Sequence, residues 1–349
     1  MNKVVGVLRN ISEEKFSRYL IQEKLGQGGM ATVYRAYDPL FEREVALKIL
    51  KQEGLNDTQV RERFERETKI IAKLEHAAIV PVYDVGRSDN DQLFFVMRYM
   101  AGGSLADRIQ KGSLSLLDAA NLIQRLGAAL DYAHAKGIIH RDLKPDNILF
   151  DEYNHAYISD FGIAKLTQSS IKITSSGIIG TPTHMSPEQA QGEELDGRSD
   201  IYSLGVILFE MLSGQTPFEA TTPLGMALKH AIEPPPRILR INPNLPTGVE
   251  AVIKKVLEKE PKHRYRSGTE FANAFIGTLA QPLTSGANLV ALPPSHVYPD
   301  DEVAVLPRSS VAPQRPPLRS RIREWYARGS EMLSVCRQWI GNTLKKLIR

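Results

Sequence analysis

Residues 138–150 read IIHRDLKPDNILF, and the polar members of this run are of types that can act on a phosphoryl group. Asp142 offers a carboxylate, Lys144 stands two residues on, and Asn147 offers a carboxamide oxygen. Asp160 follows thirteen residues after Asn147, in Asp160-Phe161-Gly162. Phosphoryl transfer demands positioning and charge neutralisation more than covalent chemistry. A carboxylate must accept the proton of an attacking hydroxyl, and oxygen ligands must hold Mg²⁺ against the phosphates. Asp142 can serve as that base, Asn147 and Asp160 as metal ligands, and Lys144 can stabilise the transferring group. Taken singly, Asp142 and Asn147 equally suit turns or caps, and Phe161 suits a core; the set is what points to chemistry.

A second stretch, LGQGGMATVY from Leu25 to Tyr34, approaches the G-x-G-x-x-G phosphate loop but ends on Ala31. Gly26, Gln27, Gly28, Gly29, Met30, Ala31 and Thr32 would cover nucleotide phosphates, glycine permitting close backbone approach. The pattern alone is loose, and neighbouring glycines also make ordinary turns.

These groups need elements to hold them. YLIQEKLG, ATVYRAYD and REVALKIL alternate or carry β-branched residues, with turn signals between them, so strands are expected. QLFFVMRYM reads as another strand. TQVRERFERETKIIAKLEH places Phe64, Ile70, Ile71 and Leu74 at helical spacing. AGGSLADRI opens a helical region, and SLLDAANLIQRLGAALDYAHAKG is a long helical pattern with a glycine where a C-cap belongs. The expectation is an α+β chain with a small β-rich lobe over residues 19–100 and a large helical lobe over 101–279. Residues 281–320 hold eight prolines and read as an extended, disordered linker. Residues 321–349 recover a helical period and are basic.

The 349 residues are 42% hydrophobic and 24% charged, ordinary globular values that allow a sizeable core. The single cysteine, Cys336, excludes an intramolecular disulfide and suits a reducing compartment. Neither a signal peptide nor an apolar run long enough for a membrane span is visible. Net charge is +4, yet residues 300–349 alone carry ten Lys and Arg against five Asp and Glu. The body is therefore close to neutral, which argues against nucleic acid as a partner.

HRDLKPDN and DFG at this spacing resemble the catalytic and metal-binding loops of protein kinases, over roughly residues 19–279. Lys144 within HRDLKPDN is similar to the serine/threonine-specific class, and the compact loops resemble the Hanks-type kinases of bacteria. The resemblance implies ATP and Mg²⁺ as cofactors and protein Ser/Thr hydroxyls as acceptors. It implies that Lys48 contacts the α and β phosphates and that Glu67 pairs with Lys48. Leu25, Val33, Ala46 and Leu149 would sandwich adenine, with Met97 as gatekeeper and Arg98 to Met100 as a hinge acting through its backbone. Thr181 would bridge the base and its lysine. Ser186-Pro187-Glu188 matches Ala-Pro-Glu, with Glu188 expected to pair with Arg264, and Asp200 would hold the catalytic loop backbone. His184 stands where the family has tyrosine. Arg141 could receive an activating phosphate, with Thr174, Ser175 and Ser176 as candidate autophosphorylation sites.

Two rival readings are a pseudokinase, which would be expected to lack Lys48, Asp142, Asn147 or Asp160, and a nicotinamide-dependent dehydrogenase. The latter needs its glycine loop between a strand and a helix, whereas here a strand pattern follows the loop. In the tail, Ile322, Trp325, Met332, Cys336, Trp339, Thr343 and Leu347 fall near one helical face. Such a basic amphipathic helix fits an anionic membrane surface; docking on a partner or on its own kinase domain, or no role, are the alternatives. A cytoplasmic location, with or without peripheral membrane contact, is expected.

Overall fold

A computed structural model describes residues 15–28, 31–51, 73–161 and 182–279. Six strands form one antiparallel sheet: β1 Lys15–Phe16, β2 Tyr19–Gln27, β3 Ala31–Asp38, β4 Arg43–Leu50, β5 Val82–Arg87 and β6 Leu93–Arg98. Their spatial order is β1-β2-β3-β4-β6-β5. Successive side chains on a strand point to opposite faces, and β4 uses both. Val45 and Leu47 pack with Tyr19, Ala36, Phe94 and Val96 on one face. Ala46 and Leu50 turn to the other face and join the main core, so Lys48, between them in the alternation, lies on their side. The register sets Val33 opposite Lys48, Lys48 opposite Phe95, and Ala46 opposite Met97.

The strand β5 is absent from the sequence expectation, because Asp84 and Gly86 are both poor strand formers. Its neighbour explains them. Gly86 pairs with Phe94, whose ring would lie 2.6 Å from any added Cβ. Asp84 accepts the Tyr19 hydroxyl at 2.7 Å and pairs with Arg18 at 3.0 Å.

The helical part begins with α1 Leu105–Ile109 and α2 Leu116–Ala135, capped by Ser104 and Ser115. Gly137 follows α2 with φ 74°, a left-handed conformation in which glycine carries no Cβ strain. A 3₁₀ turn, Pro145–Asn147, leads into a short hairpin of β7 Ile148–Phe150 and β8 Ala156–Ile158. Then come α3 Pro187–Gln191, α4 Gly197–Ser213, α5 Pro223–Ile232, α6 Ile238–Ile241, α7 Thr247–Val256 and α8 Gly268–Leu279. Every residue of α4 from Ser199 to Phe209 is buried. It forms the axis of this half, with Asp200 in its first turn. The start of α8 crosses α2 at two glycines: an added Cβ at Gly127 would meet the Gly268 carbonyl oxygen at 2.6 Å. The Asp131 carboxylate on α2 then accepts the Gly268 and Thr269 amides at 2.6 and 2.9 Å, capping α8. The expected division into a strand-rich lobe and a helical lobe is what the molecule has.

Candidate active site

Asn147 and Asp160 are thirteen residues apart in sequence, and the β7–β8 hairpin removes that separation. Its register pairs Ile148 with Ile158, so Asn147 falls opposite Ser159, next to Asp160. The Asn147 carbonyl accepts both the amide and the hydroxyl of Ser159, at 2.8 and 3.0 Å. The Asn147 side-chain nitrogen donates to the Asp142 carbonyl at 2.7 Å and to Asp142 Oδ2 at 3.2 Å. Lys144 Nζ lies 3.0 Å from the same Oδ2. Asp142 is thus held by two donors while its side chain stays 45% exposed, open to an incoming hydroxyl. From the sheet, Lys48 Nζ reaches Asp160 Oδ1 at 2.7 Å, spanning the boundary between the two halves.

The loop that presents Asp142 is pinned by α4. Asp200, 1% exposed, accepts the His140 amide at 2.8 Å, the Arg141 amide at 2.9 Å and His134 Nε2–H at 2.7 Å. Burial pushes the Asp200 carboxyl up, but the hydrogen bonds it accepts from His134 and from the Arg141 amide outweigh it and hold the group below its usual range. Arg141 has φ 68° and Asp160 φ 63°. Non-glycine residues in this region cost on the order of 1–3 kcal/mol each, and such strain gathers where the surroundings over-determine a site. His140 is buried: its ring packs edge-on against Phe161 with centroids 4.8 Å apart, and its Nε2–H donates to the Ser159 carbonyl at 2.8 Å.

On the sheet side, Gly26 pairs with Val33 and Gln27 with Thr32, so the glycine loop is a hairpin running from strand to strand. The Gly28 amide donates to the Ala31 carbonyl at 2.9 Å, and Lys51 Nζ reaches the Gly28 carbonyl at 2.9 Å. An added Cβ at Gly26 would meet nothing within 4 Å. The protein's own packing therefore does not require glycine there. Ala46, Met97 and Met100 are buried, Val33 and Leu149 are partly buried against the core, and Leu25 is exposed. The Arg98 amide donates to the Pro81 carbonyl at 3.1 Å. Its guanidinium turns away to Tyr157 Oη at 3.3 Å and to Glu152 at 3.4 Å. Replacing Arg98 by Ala is expected to cost no more than ~1 kcal/mol of stability, since a part-exposed ion pair is worth at most about that; urea unfolding midpoints measure it.

Beyond the cleft, Arg264 and Glu188 form two hydrogen bonds of 2.7 Å, and Ser199 Oγ adds a third to Glu188 at 2.6 Å. His184 also has partners: Nε2 meets Glu210 Oε2 at 2.8 Å, and its carbonyl accepts Ser203 Oγ at 2.7 Å. His230 Nε2–H donates to the Thr183 carbonyl at 2.9 Å. Burial, reinforced by the Lys259 charge, pushes the His230 imidazole down to about 3 and keeps it neutral.

The structure therefore gathers Lys48, Asp142, Lys144, Asn147 and Asp160, and supports them through Arg141, Asp200, Glu188 and Arg264. Glu67, Thr181, Gly29, Met30, Thr174, Ser175 and Ser176 lie outside the described residues, as do the linker and C-terminal segment. Sequence reasoning missed His134, Glu210 and Gln189. His134 and Glu210 carry no local signal, because their partners are 66 and 26 residues away. Gln189 did carry one, as the third residue after a Ser N-cap in S-x-x-Q.

The donor chemistry suits a divalent cation: Asn147 and Asp160 supply hard oxygen atoms, and the side-chain nitrogen of Asn147 is already committed to Asp142. Among the described residues no helix is long and apolar enough to cross a membrane.

Comparison with known proteins follows the same line. Residues 19–275 match the protein kinase domain family. The chain is 40% identical over 254 residues to the serine/threonine-protein kinase PrkC of Bacillus subtilis, covering 72% of this chain and 39% of that protein. It is 39% identical over 262 residues to the serine/threonine-protein kinase PknA of Mycobacterium tuberculosis, covering 74% of this chain and 60% of PknA. The match leaves more than half of PrkC's length without a counterpart. Among solved structures, the PknI kinase domain of Mycobacterium tuberculosis superposes with a TM-score of 0.63 at 28% identity, over 76% of this chain and 98% of that one.

Proposed function

The chain belongs to the protein kinase family, and from that premise we propose that it transfers the γ-phosphoryl group of ATP to serine and threonine hydroxyls of proteins. The observation that carries this reading is the Lys48–Asp160 contact across the two halves, beside Asp142 with its Lys144 and Asn147 partners. Family membership implies ATP and a divalent metal; we assign Mg²⁺, held by Asn147 and Asp160. When bound, the metal would neutralise phosphate charge as it develops.

The remaining roles fall to side chains. Asp142 accepts the proton of the acceptor hydroxyl as its oxygen bonds to the γ-phosphorus, while the bond from that phosphorus to the β,γ-bridging oxygen breaks and ADP leaves. Lys144 holds Asp142 from one side and meets the charge on the transferring group. Lys48 holds the α and β phosphates, exchanging part of its contact with Asp160 for theirs. The glycine hairpin lies over the phosphates, which is where the space beside Gly26 is of use. Leu25, Val33, Ala46 and Leu149 enclose the adenine, with Met97 behind it and the hinge backbone up to Met100 along its edge. Glu67 would orient Lys48, and Thr181 would bridge Asp142 and Lys144. Phosphate on Thr174, Ser175 or Ser176 would pair with Arg141 and order the segment before α3. The kinase domain is assigned to residues 19–279, residues 281–320 to a linker, and residues 321–349 to a basic helix that contacts a membrane surface or a partner from the cytoplasm.

Incubation with ATP and Mg²⁺ beside an Asp142→Asn variant, followed by intact mass measurement, tests the reading. The parent is expected to gain one or more phosphates and to phosphorylate a generic protein substrate. A parent that does neither removes the proposal, and phosphopeptides lacking Thr174, Ser175 and Ser176 remove the assignment of the autophosphorylation sites.

A further inference from the structure

The peptide unit that carries Asp142 is held at both of its polar ends. Its N–H, the Asp142 amide, donates to His140 Nδ1 at 3.3 Å. Its C=O, the Arg141 carbonyl, accepts Gln189 Nε2–H at 2.6 Å. Gln189 is buried and sits on α3, 48 residues along the chain from Arg141. Its other amide atom, Oε1, accepts the Ser186 amide at 2.9 Å, while Ser186 Oγ accepts the Gln189 amide at 3.3 Å. One partner is a donor and the other an acceptor, so only one orientation of the amide satisfies both.

Capping does not explain glutamine here. A glutamate at this position closes a capping box equally well, and its charge favours a helix N-terminus. What glutamate cannot do, when ionised, is donate to the Arg141 carbonyl. Arg141 needs that anchor: its left-handed φ of 68° leaves the following peptide dependent on outside contacts for its orientation. Asp200 grips the Arg141 N–H at 2.9 Å from α4. Gln189 grips the Arg141 C=O from α3, whose next-door Glu188 is locked to Arg264.

We propose that Gln189 is a positioning residue for phosphoryl transfer: its side-chain amide fixes the Arg141–Asp142 peptide and so couples the seating of α3 to the aim of the catalytic carboxylate. The kinetic part rests on the phosphotransferase reading above; the structural part does not. Gln189→Glu is the discriminating variant, because it keeps the acceptor for Ser186 and loses only the donor to Arg141. At pH 8 its kcat is expected to fall by about tenfold, as for a buried carbonyl deprived of its donor and faced with a carboxylate. KM for ATP should stay near that of the parent, and the thermal midpoint should fall by only a few degrees, as one lost buried hydrogen bond requires. The kcat ratio of variant to parent should recover as pH falls towards 6, since the substituted carboxyl regains a donor on protonation. Gln189→Met removes both bonds and any such recovery.

Hydrogen exchange of peptides covering residues 138–143 reads the same anchor without catalysis, and exchange at the Asp142 amide should quicken in Gln189→Glu. An unchanged kcat in an active parent overturns the proposal, as does a kcat loss that tracks a fall in thermal midpoint and shows no recovery with acid. If the parent neither gains phosphate nor phosphorylates a generic protein substrate, the phosphotransferase reading fails instead. Unchanged exchange at 138–143 then still overturns the anchor, and quickened exchange sustains it.

Discussion

An Asp142→Asn variant should lose roughly 10²- to 10⁴-fold in kcat, the range contributed by a positioned general base. Its KM for ATP should move by less than about twofold, because the lost interaction is made only as the proton is transferred. The substitution is nearly isosteric. The new side-chain oxygen can still accept from Lys144 Nζ and from the Asn147 amide, which lie 3.0 and 3.2 Å from Oδ2 in the parent. Asp142 is part-exposed and is not part of the core, so the fold should be unaffected. The variant therefore isolates proton acceptance from geometry. Steady-state rates on a peptide substrate, with kcat and KM taken separately, decide it; a kcat within about threefold of the parent would show that the proton goes elsewhere.

Arg264→Met is expected to produce the largest loss of stability, about 3–5 kcal/mol, as when one member of a buried ion pair is removed. Both side chains are essentially sequestered from water, at 0% and 3% exposure. Arg264 also donates to the carbonyls of Glu258 and Lys259, at 2.7 and 2.8 Å, so its loss leaves those acceptors bare as well. The effect has a pH signature. In the parent, burial pushes the Glu188 carboxyl up, but Arg264 and Ser199 overcome this and hold it below its normal value. A depressed carboxyl contributes stability that is complete above its unfolded pKa of about 4.3 and is lost as pH falls through the lower folded value. Without Arg264, burial is left to raise the same carboxyl, and the sign reverses: the variant then gains relative stability as acid neutralises Glu188. The gap between parent and variant should therefore be widest near pH 7 and narrow towards pH 5. Urea unfolding midpoints at the two pH values measure it, and a constant gap would mean that Glu188 stays ionised without its partner.

Much of the catalytic constellation was legible because its members lie in short runs of informative residue types. HRDLKPDN and DFG carry the proposed base, its neighbouring lysine and the proposed metal ligands within about twenty residues. Strands β2, β3, β4 and β6 were legible because each is a short run that alternates or carries β-branched and aromatic residues between turn signals, β4 and β6 being buried on both faces, and α2 because it carries a long apolar stripe. Strand β5 was not, since Asp84 and Gly86 disfavour a strand locally and are explained only by Tyr19, Arg18 and the ring of Phe94 across the sheet. His184 looked like a departure from the family. Its bond to Glu210, 26 residues along the chain, gives it a partner that no reading of neighbouring residues could supply.

From sequence alone came the residue types, their order and the lobe that each belongs to, since those follow from local periodicity and from chemistry that tolerates few substitutes. Tertiary structure decided what holds those residues in place. The Asp200 carboxylate gathers two backbone amides and a histidine from 59 to 66 residues away. The amide of Gln189 takes the one carbonyl that steers Asp142. These are buried hydrogen bonds made at long range, and their partners are chosen by the packing of α3 and α4 against the catalytic loop. The identity of a catalytic carboxylate is written at its own position; its aim depends on residues that meet it only when the chain is folded.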